Sequence, residues 1–204
     1  MKGKNIVFHP SLVSIKEREK SMGHKSCCIW FTGYSGSGKS TLAHGFESLL
    51  IKNGFHAFVL DGDNIRLGLN KDLGFSREHR IENIRRVGEA SKLMVDAGLI
   101  ALSAFISPYR NDRDHVRSLF KENQFIEIYV KCPISVCEDR DVKGLYKKAR
   151  DGAIPDFTGI SAPYEEPLKP ELTLDTDLLN IEDSIQKIYN FLKMQGIIDG
   201  EVAK

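Results

Sequence analysis

Apolar positions along the chain are grouped into five short runs rather than spread evenly. The runs cover residues 27–32, 55–60, 99–106, 124–131 and 171–174. Turn-forming residues follow several of them, among them Gly33, Pro108 and Pro133. Short apolar runs bounded in this way are typical of strands that are buried on both faces, as in a parallel sheet.

Between these runs, apolar residues recur at steps of three and four, which indicates helices. Residues 41–52 and 181–192 show this spacing, and Ser76 is placed to cap a longer helix. One face of that helix is marked by Ile84, Val87, Ala90, Met94 and Ala97. Strands separated by helices predict an α/β fold with three layers, in which helices cover both faces of a parallel sheet of about five strands.

Two regions depart from this alternation. Residues 1–25 have no strong period and are predicted to form a loosely docked arm before a domain that covers residues 26–204. Residues 141–170 combine prolines, glycines and many charges. Because a long irregular segment inside a compact domain is usually functional, we expect a lid there, with a disordered surface loop as the alternative.

The composition restricts the class of protein. The 204 residues are 41% apolar and 28% charged, with a net charge of +1, so no overall charge favours nucleic acid or a membrane surface. The longest apolar stretch, residues 93–106, is too short to span a bilayer, and residues 1–25 have no apolar core of a secretory signal. The four cysteines (Cys27, Cys28, Cys132 and Cys137) form no C-x-x-C pair. We expect buried thiols in a cytoplasmic enzyme.

The residues after the first run carry the strongest local motif. Residues 33–40, GYSGSGKS, match the phosphate-binding pattern G-x-x-x-x-G-K-[ST] between a predicted strand and a predicted helix. Glycines let backbone N–H groups converge on an anion, and the helix adds its positive end. Lys39 is placed to bridge the β- and γ-phosphates, and the Ser40 hydroxyl to ligate Mg²⁺. The residues of the pattern are Gly33, Tyr34, Ser35, Gly36, Ser37, Gly38, Lys39 and Ser40.

A phosphate-binding loop predicts nucleoside triphosphate binding but leaves the reaction open. A GTPase would need an N-K-x-D motif, and residues 70–73 read NKDL, with Leu73 at the acidic position. A small-molecule kinase would instead need a second pocket and a lid. The rest of the chain favours the kinase.

Two carboxylates follow the second predicted strand. Asp61 and Asp63 flank Gly62 at the carboxyl edge of the sheet, which faces the ligand crevice in open α/β folds. Such a pair is suited to hold a Mg²⁺-bound water and to accept a proton from an acceptor hydroxyl. A simple Asp-Gly turn is the alternative.

Further polar and aromatic residues point to an acceptor pocket. Arg80 and Asn83 share a helix face and suit an anionic group. Ser107 follows the third strand, where it serves as a pocket residue or as a turn residue. Phe75 and Phe157 lie in polar stretches, so each either fills a core gap or stacks on a flat ligand.

Together these segments resemble the adenylylsulfate kinase (APS kinase) family. The resemblance runs over residues 5–167 and rests on the stretches WFTGYSGSGKST, LDGDNIRLGLNKDLGFSREHRIENIRRVGE, AFISPYRNDRDHVR, DRDVKGLYKKARDG and FTGI. It implies MgATP-dependent phosphorylation of the 3′-hydroxyl of adenylyl sulfate (APS), which gives 3′-phosphoadenylyl sulfate (PAPS) and ADP in sulfate assimilation. It also implies a homodimer. A chain of this length has no room for a sulfurylase domain, so we expect the free-standing form.

The resemblance assigns roles residue by residue. It implies that residues 33–41, including Thr41, hold the ATP phosphates, that Arg140 stacks on the ATP base, and that Asp61 and Asp63 are the catalytic pair. The residues that it implies for the acceptor are Arg66, Phe75, Arg80, Asn83, Ile106, Ser107, Lys143 and Phe157. Lys143 and Phe157 would close as lid residues, with adenine between Phe75 and Phe157.

The chemistry at Ser107 is open to two interpretations. Bacterial members of the family are often assigned a phosphoserine intermediate at the matching serine. A serine nucleophile needs an adjacent base, and Ser107 has no neighbouring His or Lys in sequence. We therefore predict direct transfer, with Asp63 taking the proton and Ser107 lining the pocket. The remaining alternatives are another P-loop kinase for a nucleoside or sugar, and a non-catalytic nucleotide-binding regulator.

Overall fold

Five parallel strands form the centre of the molecule. The structure is a computed structural model that describes residues 7, 9–141 and 143–199. The strands are β1 (Cys27–Thr32), β2 (Ala57–Asp61), β3 (Ile100–Ala104), β4 (Phe125–Lys131) and β5 (Leu172–Asp175). All pairings are parallel, in the order β2-β3-β1-β4-β5. The predicted α/β fold is confirmed.

Eight helices surround this sheet within the described ranges. They are α1 (Ile15–Met22), α2 (Lys39–Lys52), α3 (Gly62–Leu67), α4 (Arg77–Asp96), α5 (Arg110–Arg117), α6 (Ile134–Arg140), α7 (Leu145–Arg150) and α8 (Ile181–Met194). Ser76 caps α4, since its side chain accepts a hydrogen bond from the His79 backbone N–H. None of these helices is long and apolar enough to cross a membrane.

The two faces of the central strand β1 pack against different helices, which gives the fold its three layers. All six of its residues are buried, and successive side chains point to opposite faces. Ile29 packs into the core shared with α2 and α8, whereas Trp30 packs into the core shared with α4 and α5. Burial on both faces accounts for the unbroken apolar run in the sequence.

The packing of α4 on α5 depends on one glycine. A Cβ atom at Gly88 would lie 2.7 Å from the Val116 Cγ2 atom, closer than a carbon contact allows. Gly88 therefore lets the two helices approach, and α5 in turn lies beside the turn that leaves β3.

The interpretation of residues 1–25 as an arm without a regular period misses a helix. Ser14 and Glu17 form a capping box at the start of α1, and the Ser26 N–H and hydroxyl donate to Glu19 at 2.9 and 3.0 Å. The helix has no buried residue, so it leaves no amphipathic pattern. Residues 1–6 and 8 lie outside the described part of the chain.

The predicted lid is also more regular than its composition suggests. It contains α7, and the Tyr146 and Ala149 side chains of that helix are buried with Cys137 and Phe157. This small cluster is separate from the two cores on the sheet. The irregular reading of residues 141–170 is therefore wrong at α7. All four cysteines are free, buried thiols, as predicted.

Candidate active site

The register of the sheet brings the predicted site residues to one edge. Asp61 lies level with Ala104, and Ala104 lies level with Phe31 on β1. The loops that follow β1, β2 and β3 therefore start side by side. These loops carry the phosphate-binding pattern, the acidic pair and the turn at Ser107.

The phosphate-binding loop needs glycine for steric reasons. Gly33 and Gly36 have φ angles of 151° and 76°, which residues with a Cβ atom rarely adopt. A Cβ at Gly33 would lie 2.4 Å from the Val130 carbonyl oxygen, and one at Gly36 would lie 2.9 Å from the Cys137 carbonyl oxygen. The loop is thus pressed against β4 and α6, and α2 begins directly after it.

Lys39 is the first residue of α2 and points back into the loop. Its Nζ atom donates to the Tyr34 carbonyl oxygen at 2.6 Å. Burial lowers the pKa of Lys39 to about 8, although the nearby Cys137 and Asp61 act in the opposite direction. A buried cation without full compensation is stabilised by an incoming anion, so this position suits a polyphosphate.

Ser40 and Asp61 meet across the start of the crevice. The Ser40 hydroxyl donates to the Asp61 Oδ2 atom at 2.6 Å. The Asp61 Oδ1 atom accepts the Asp63 backbone N–H at 3.0 Å, so Asp61 also caps α3. A hydroxyl and a carboxylate oxygen this close fit Mg²⁺, which prefers oxygen ligands and is often held by only one or two protein groups.

Asp63 is placed opposite the predicted lid. Its carboxylate forms an ion pair with Lys143, and both side chains are exposed. The structure thus brings together a residue of the acidic pair and a residue of the lid that are 80 positions apart.

Arg66 and Phe75 form one side of the predicted acceptor pocket. The Arg66 Nη1 atom donates to the carbonyl oxygens of Leu73 and Gly74, and the guanidinium group lies 4.4 Å from the centre of the Phe75 ring. Phe75 is 65% exposed. A cation on one face leaves this exposed aromatic with one side for a flat ligand.

Arg80 joins α4 to the lid. Its Nε atom donates to the Phe75 carbonyl oxygen at 2.8 Å, and its Nη1 atom donates to the Thr158 hydroxyl at 2.7 Å. Nη2 donates to the Asp156 carbonyl oxygen. Asn83, one turn further along α4, is buried and accepts a hydrogen bond from the Asn70 side chain at 3.0 Å.

Phe157 occupies a different environment from Phe75. It is 8% exposed and packs edge-on against Tyr146, with ring centres 5.0 Å apart. In this structure Phe157 therefore fills the core of the lid. The predicted contact with adenine requires that one face of the Phe157 ring be turned toward the acceptor pocket.

Ser107 lies in a strained and enclosed turn. Its φ angle is 41°, and the residue is 1% exposed. The Trp30 Nε1–H donates to the Ser107 Oγ atom at 3.0 Å, and Oγ donates to the Thr32 hydroxyl at the same distance. The half-buried Ile106 precedes it, and its carbonyl oxygen accepts from the Thr32 hydroxyl at 2.7 Å.

The predicted nucleotide end of the site includes the expected Arg140 and two residues that the motifs did not reveal. Arg140 donates to the Gly36 and Thr176 carbonyl oxygens, and the Thr176 hydroxyl donates to the Ser37 carbonyl oxygen at 2.8 Å. The Tyr146 hydroxyl donates to the Ser35 carbonyl oxygen at 2.8 Å. Thr176 and Tyr146 are 139 and 111 positions from these partners, so no local pattern marks them.

Comparison with known proteins identifies the family. The model of the family described as adenylylsulphate kinase matches residues 25–175, which cover the sheet, the loop at residues 33–40 and the lid. The chain belongs to this family. The resemblance deduced from the sequence is thereby confirmed.

Individual relatives agree with this assignment. A probable adenylyl-sulfate kinase of Halalkalibacterium halodurans is 59% identical over 191 residues, which are 94% of this chain and 95% of that protein. The structure of a Mycobacterium tuberculosis APS kinase in complex with AMPPNP and APS matches with a TM-score of 0.80 and 43% identity, over 83% of this chain and 99% of that one. A hexameric APS kinase from Thiobacillus denitrificans matches with a TM-score of 0.67 and 33% identity, over 90% of this chain and 31% of that one.

Proposed function

We propose that this chain transfers the γ-phosphoryl group of MgATP to the 3′-hydroxyl of APS, which gives PAPS and ADP for sulfate assimilation. The observation that carries the proposal is the meeting, at one sheet edge, of the phosphate-binding loop with the acidic pair and the acceptor residues, in a member of the adenylylsulphate kinase family. The M. tuberculosis relative was captured with an ATP analogue and APS, which matches this division of the site.

The nucleotide half binds the triphosphate through residues 33–41. Backbone N–H groups of the loop and of the first turn of α2, to which Thr41 belongs, would bind the phosphates. Lys39 neutralises charge that develops on the transferred group, while Arg140 lies beside the ATP base. Ser40 and Asp61 would hold Mg²⁺, which supplies positive charge to the phosphate oxygens when bound.

Asp63 is the acidic residue that we assign to the acceptor hydroxyl. In the proposed mechanism its carboxylate accepts or orients the proton of the 3′-hydroxyl while that oxygen attacks the γ-phosphorus in line. The ion pair with Lys143 supports this role, because it links the base to a lid that closes over the acceptor.

The acceptor half is proposed to recognise APS by charge and shape. Arg66, Arg80 and Asn83 bind its anionic groups, Phe75 and Phe157 hold the adenine, and Ile106 lines the pocket. Arg80 already contacts the lid, so acceptor binding and lid position are coupled through one guanidinium group.

Ser107 is proposed to shape the pocket and not to carry the phosphoryl group. Its hydroxyl is buried and is bonded to the Trp30 indole and the Thr32 hydroxyl. These two partners are not bases, whereas a serine nucleophile requires one. Direct transfer therefore has the better support.

We further propose that the active protein is a homodimer and that it works in the cytoplasm. The hexameric relative supports self-association in this family, and ATP as co-substrate supports the cytoplasmic setting. Sedimentation of the purified chain that gives only the mass of a monomer would contradict the dimer.

A substrate panel tests the activity. ADP release is measured with MgATP and, in turn, APS, AMP, a deoxynucleoside and gluconate, beside a Lys39→Met variant as the blank. We expect turnover with APS alone. Faster turnover with gluconate or a nucleoside would replace this proposal by that of a different P-loop kinase, and ATP binding without turnover would favour a regulator.

A further inference from the structure

A buried ion pair lies behind the acceptor half of the site. The Arg113 Nε atom on α5 lies 2.7 Å from the Glu127 Oε1 atom on β4, and the two side chains are 3% and 9% exposed. Removing two charges from water is costly unless every donor and acceptor finds a partner. The other donors of Arg113 therefore indicate what the pair does.

The Arg113 guanidinium group joins three separate segments of the chain. Besides the carboxylate on β4, its Nη1 atom donates to the Ser107 carbonyl oxygen at 2.6 Å, and its Nη2 atom donates to the Glu165 carbonyl oxygen at 2.7 Å. One rigid fork thus links the sheet, the turn after β3 and the end of the lid segment. Arginine suits this task because its donors are planar and fixed in direction.

The two linked segments also contact each other. The Glu165 N–H donates to the Pro108 carbonyl oxygen at 2.8 Å, and the Glu165 carboxylate accepts the Arg110 N–H at the same distance. Residues 107–110 and the end of the lid are therefore held as one unit, with Arg113 beneath it.

The turn at Ser107 requires such support. A residue other than glycine at a φ of 41° costs energy and persists only where its surroundings hold it. The Ser107 side chain is held by Trp30 and Thr32, while its carbonyl oxygen is held by Arg113. Ile106 and Ser107 are proposed acceptor residues, so this support reaches the substrate.

We propose that Arg113 is a positioning residue for the acceptor, which fixes the Ser107 turn and the end of the lid in one geometry. It acts through two carbonyl oxygens and does not touch the reacting atoms. The expected change in the KM for APS rests on the proposed function, whereas the expected loss of the anchor rests on the hydrogen bonds alone. A positioning role of this kind goes beyond the contribution to stability that a buried ion pair makes.

The test removes the whole pair rather than one charge. Arg113→Met combined with Glu127→Leu leaves no unpaired buried charge, which is the usual cause of collapse when such a pair is broken. If Arg113 positions the acceptor, the double variant should stay folded and its KM for APS should rise about tenfold, since two charge-assisted hydrogen bonds are lost. Its KM for ATP should change less than about twofold.

The matched control is Arg117→Met. Arg117 lies one turn later on α5 and bonds to Glu127 and Glu171, but it contacts neither the Ser107 turn nor the Glu165 carbonyl oxygen. This variant should lower the melting temperature and leave the KM for APS unchanged. An unchanged KM for APS in the folded double variant would overturn the proposal.

Hydrogen exchange provides a readout that does not depend on activity. The Glu165 amide should exchange faster in the double variant and not in the control, because the lid end loses its anchor. This readout would remain valid even if the wild type proved inactive on APS. Such inactivity would refute the proposed function but not the structural role of Arg113. Where the double variant fails to fold, Arg113→Lys replaces it, since one ammonium group keeps the charge but cannot reach all three acceptors. Equal exchange in that variant and the wild type would overturn the anchor.

Discussion

The ammonium group of Lys39 illustrates how one residue can destabilise the empty protein and bind its ligand. It is buried against the Tyr34 carbonyl oxygen, and burial lowers its pKa to about 8. The same lack of compensation makes an approaching polyphosphate favourable. Stability and activity should therefore respond in opposite directions to its removal.

Lys39→Met tests both responses. We expect kcat to fall about 10²–10³-fold, because charge on the transferred group loses a fixed partner. Between pH about 8 and 10.5 the unfolded chain binds more protons than the folded one, so the stability of the wild type rises with pH across that window. The ligand-free variant should then be more stable near pH 7, by up to about 3 kcal/mol, and this advantage should shrink near pH 9.5.

Melting temperatures at the two pH values and steady-state kinetics are the measurements. Lys52→Met, an exposed change at the other end of α2, is the control and should alter neither. A folded Lys39→Met variant with the kcat of the wild type would contradict the role assigned to this loop.

Ser107 is buried and Asp63 is exposed, so variants of the two residues should differ in their effect on turnover. We expect Ser107→Ala to keep kcat within about tenfold of the wild type, and Asp63→Asn to lose about 10²-fold or more. Direct transfer inverts a chiral γ-phosphorus, whereas two transfers through Ser107 retain it. Retention, with a phosphoserine that forms and decays at the rate of turnover, would disprove direct transfer.

At the scale of elements, helices α4 and α5 pack closely against each other, and α5 begins three residues after Ser107. A tight point of this contact is Gly88, where a Cβ atom would meet the stiff, buried Val116 side chain at 2.7 Å. We expect Gly88→Ala to lower the free energy of unfolding by about 1–3 kcal/mol. In a Val116→Ala background the same change should instead stabilise, since alanine favours a helix over glycine. Urea unfolding of the four proteins measures the coupling, and additive effects would show that the two residues do not compete for space.

The connection between α4 and the lid passes through Arg80. Arg80→Ala should raise the Kd for APS about tenfold or more, because a charge-assisted contact and the bonds to the lid are lost together. Phe75→Ala should act on the same ligand by removing a stacking face. Calorimetry with the ATP analogue should show unchanged affinity in both. Weaker binding of the nucleotide with unchanged binding of APS would show that the two halves of the site were assigned the wrong way round.

Across the whole molecule, the residues proposed for the two substrates lie on different loops at one sheet edge, and the segment proposed as a lid contacts both groups. Tyr146 bonds to the phosphate-binding loop, while Lys143 pairs with Asp63. We expect amides of residues 143–164, ahead of the anchored Glu165, to exchange more slowly only when both substrates are bound, since closure excludes water from the phosphoryl group. Equal exchange in the free and ternary states would refute the lid.

Local features of the sequence were enough for the strands, the longer helices and the nucleotide loop. The run at residues 27–32 became β1, Ser76 caps α4, and the spacing of residues 33–40 predicts the loop between β1 and α2. These features depend on neighbours within a few positions, so the order of residues carries them. The family followed from several such segments in one order.

Other features depended on tertiary contacts. Helix α1 buries no residue and leaves no period, and Phe157 is buried through its packing with Tyr146 and the rest of the lid cluster. Thr176 and Arg113 have their roles through partners on other segments, such as the Ser37 and Glu165 carbonyl oxygens. Every residue carries a backbone carbonyl oxygen, so the sequence does not indicate which distant donor will bond to a particular one. Only the folded arrangement of the sheet edge decides those pairings.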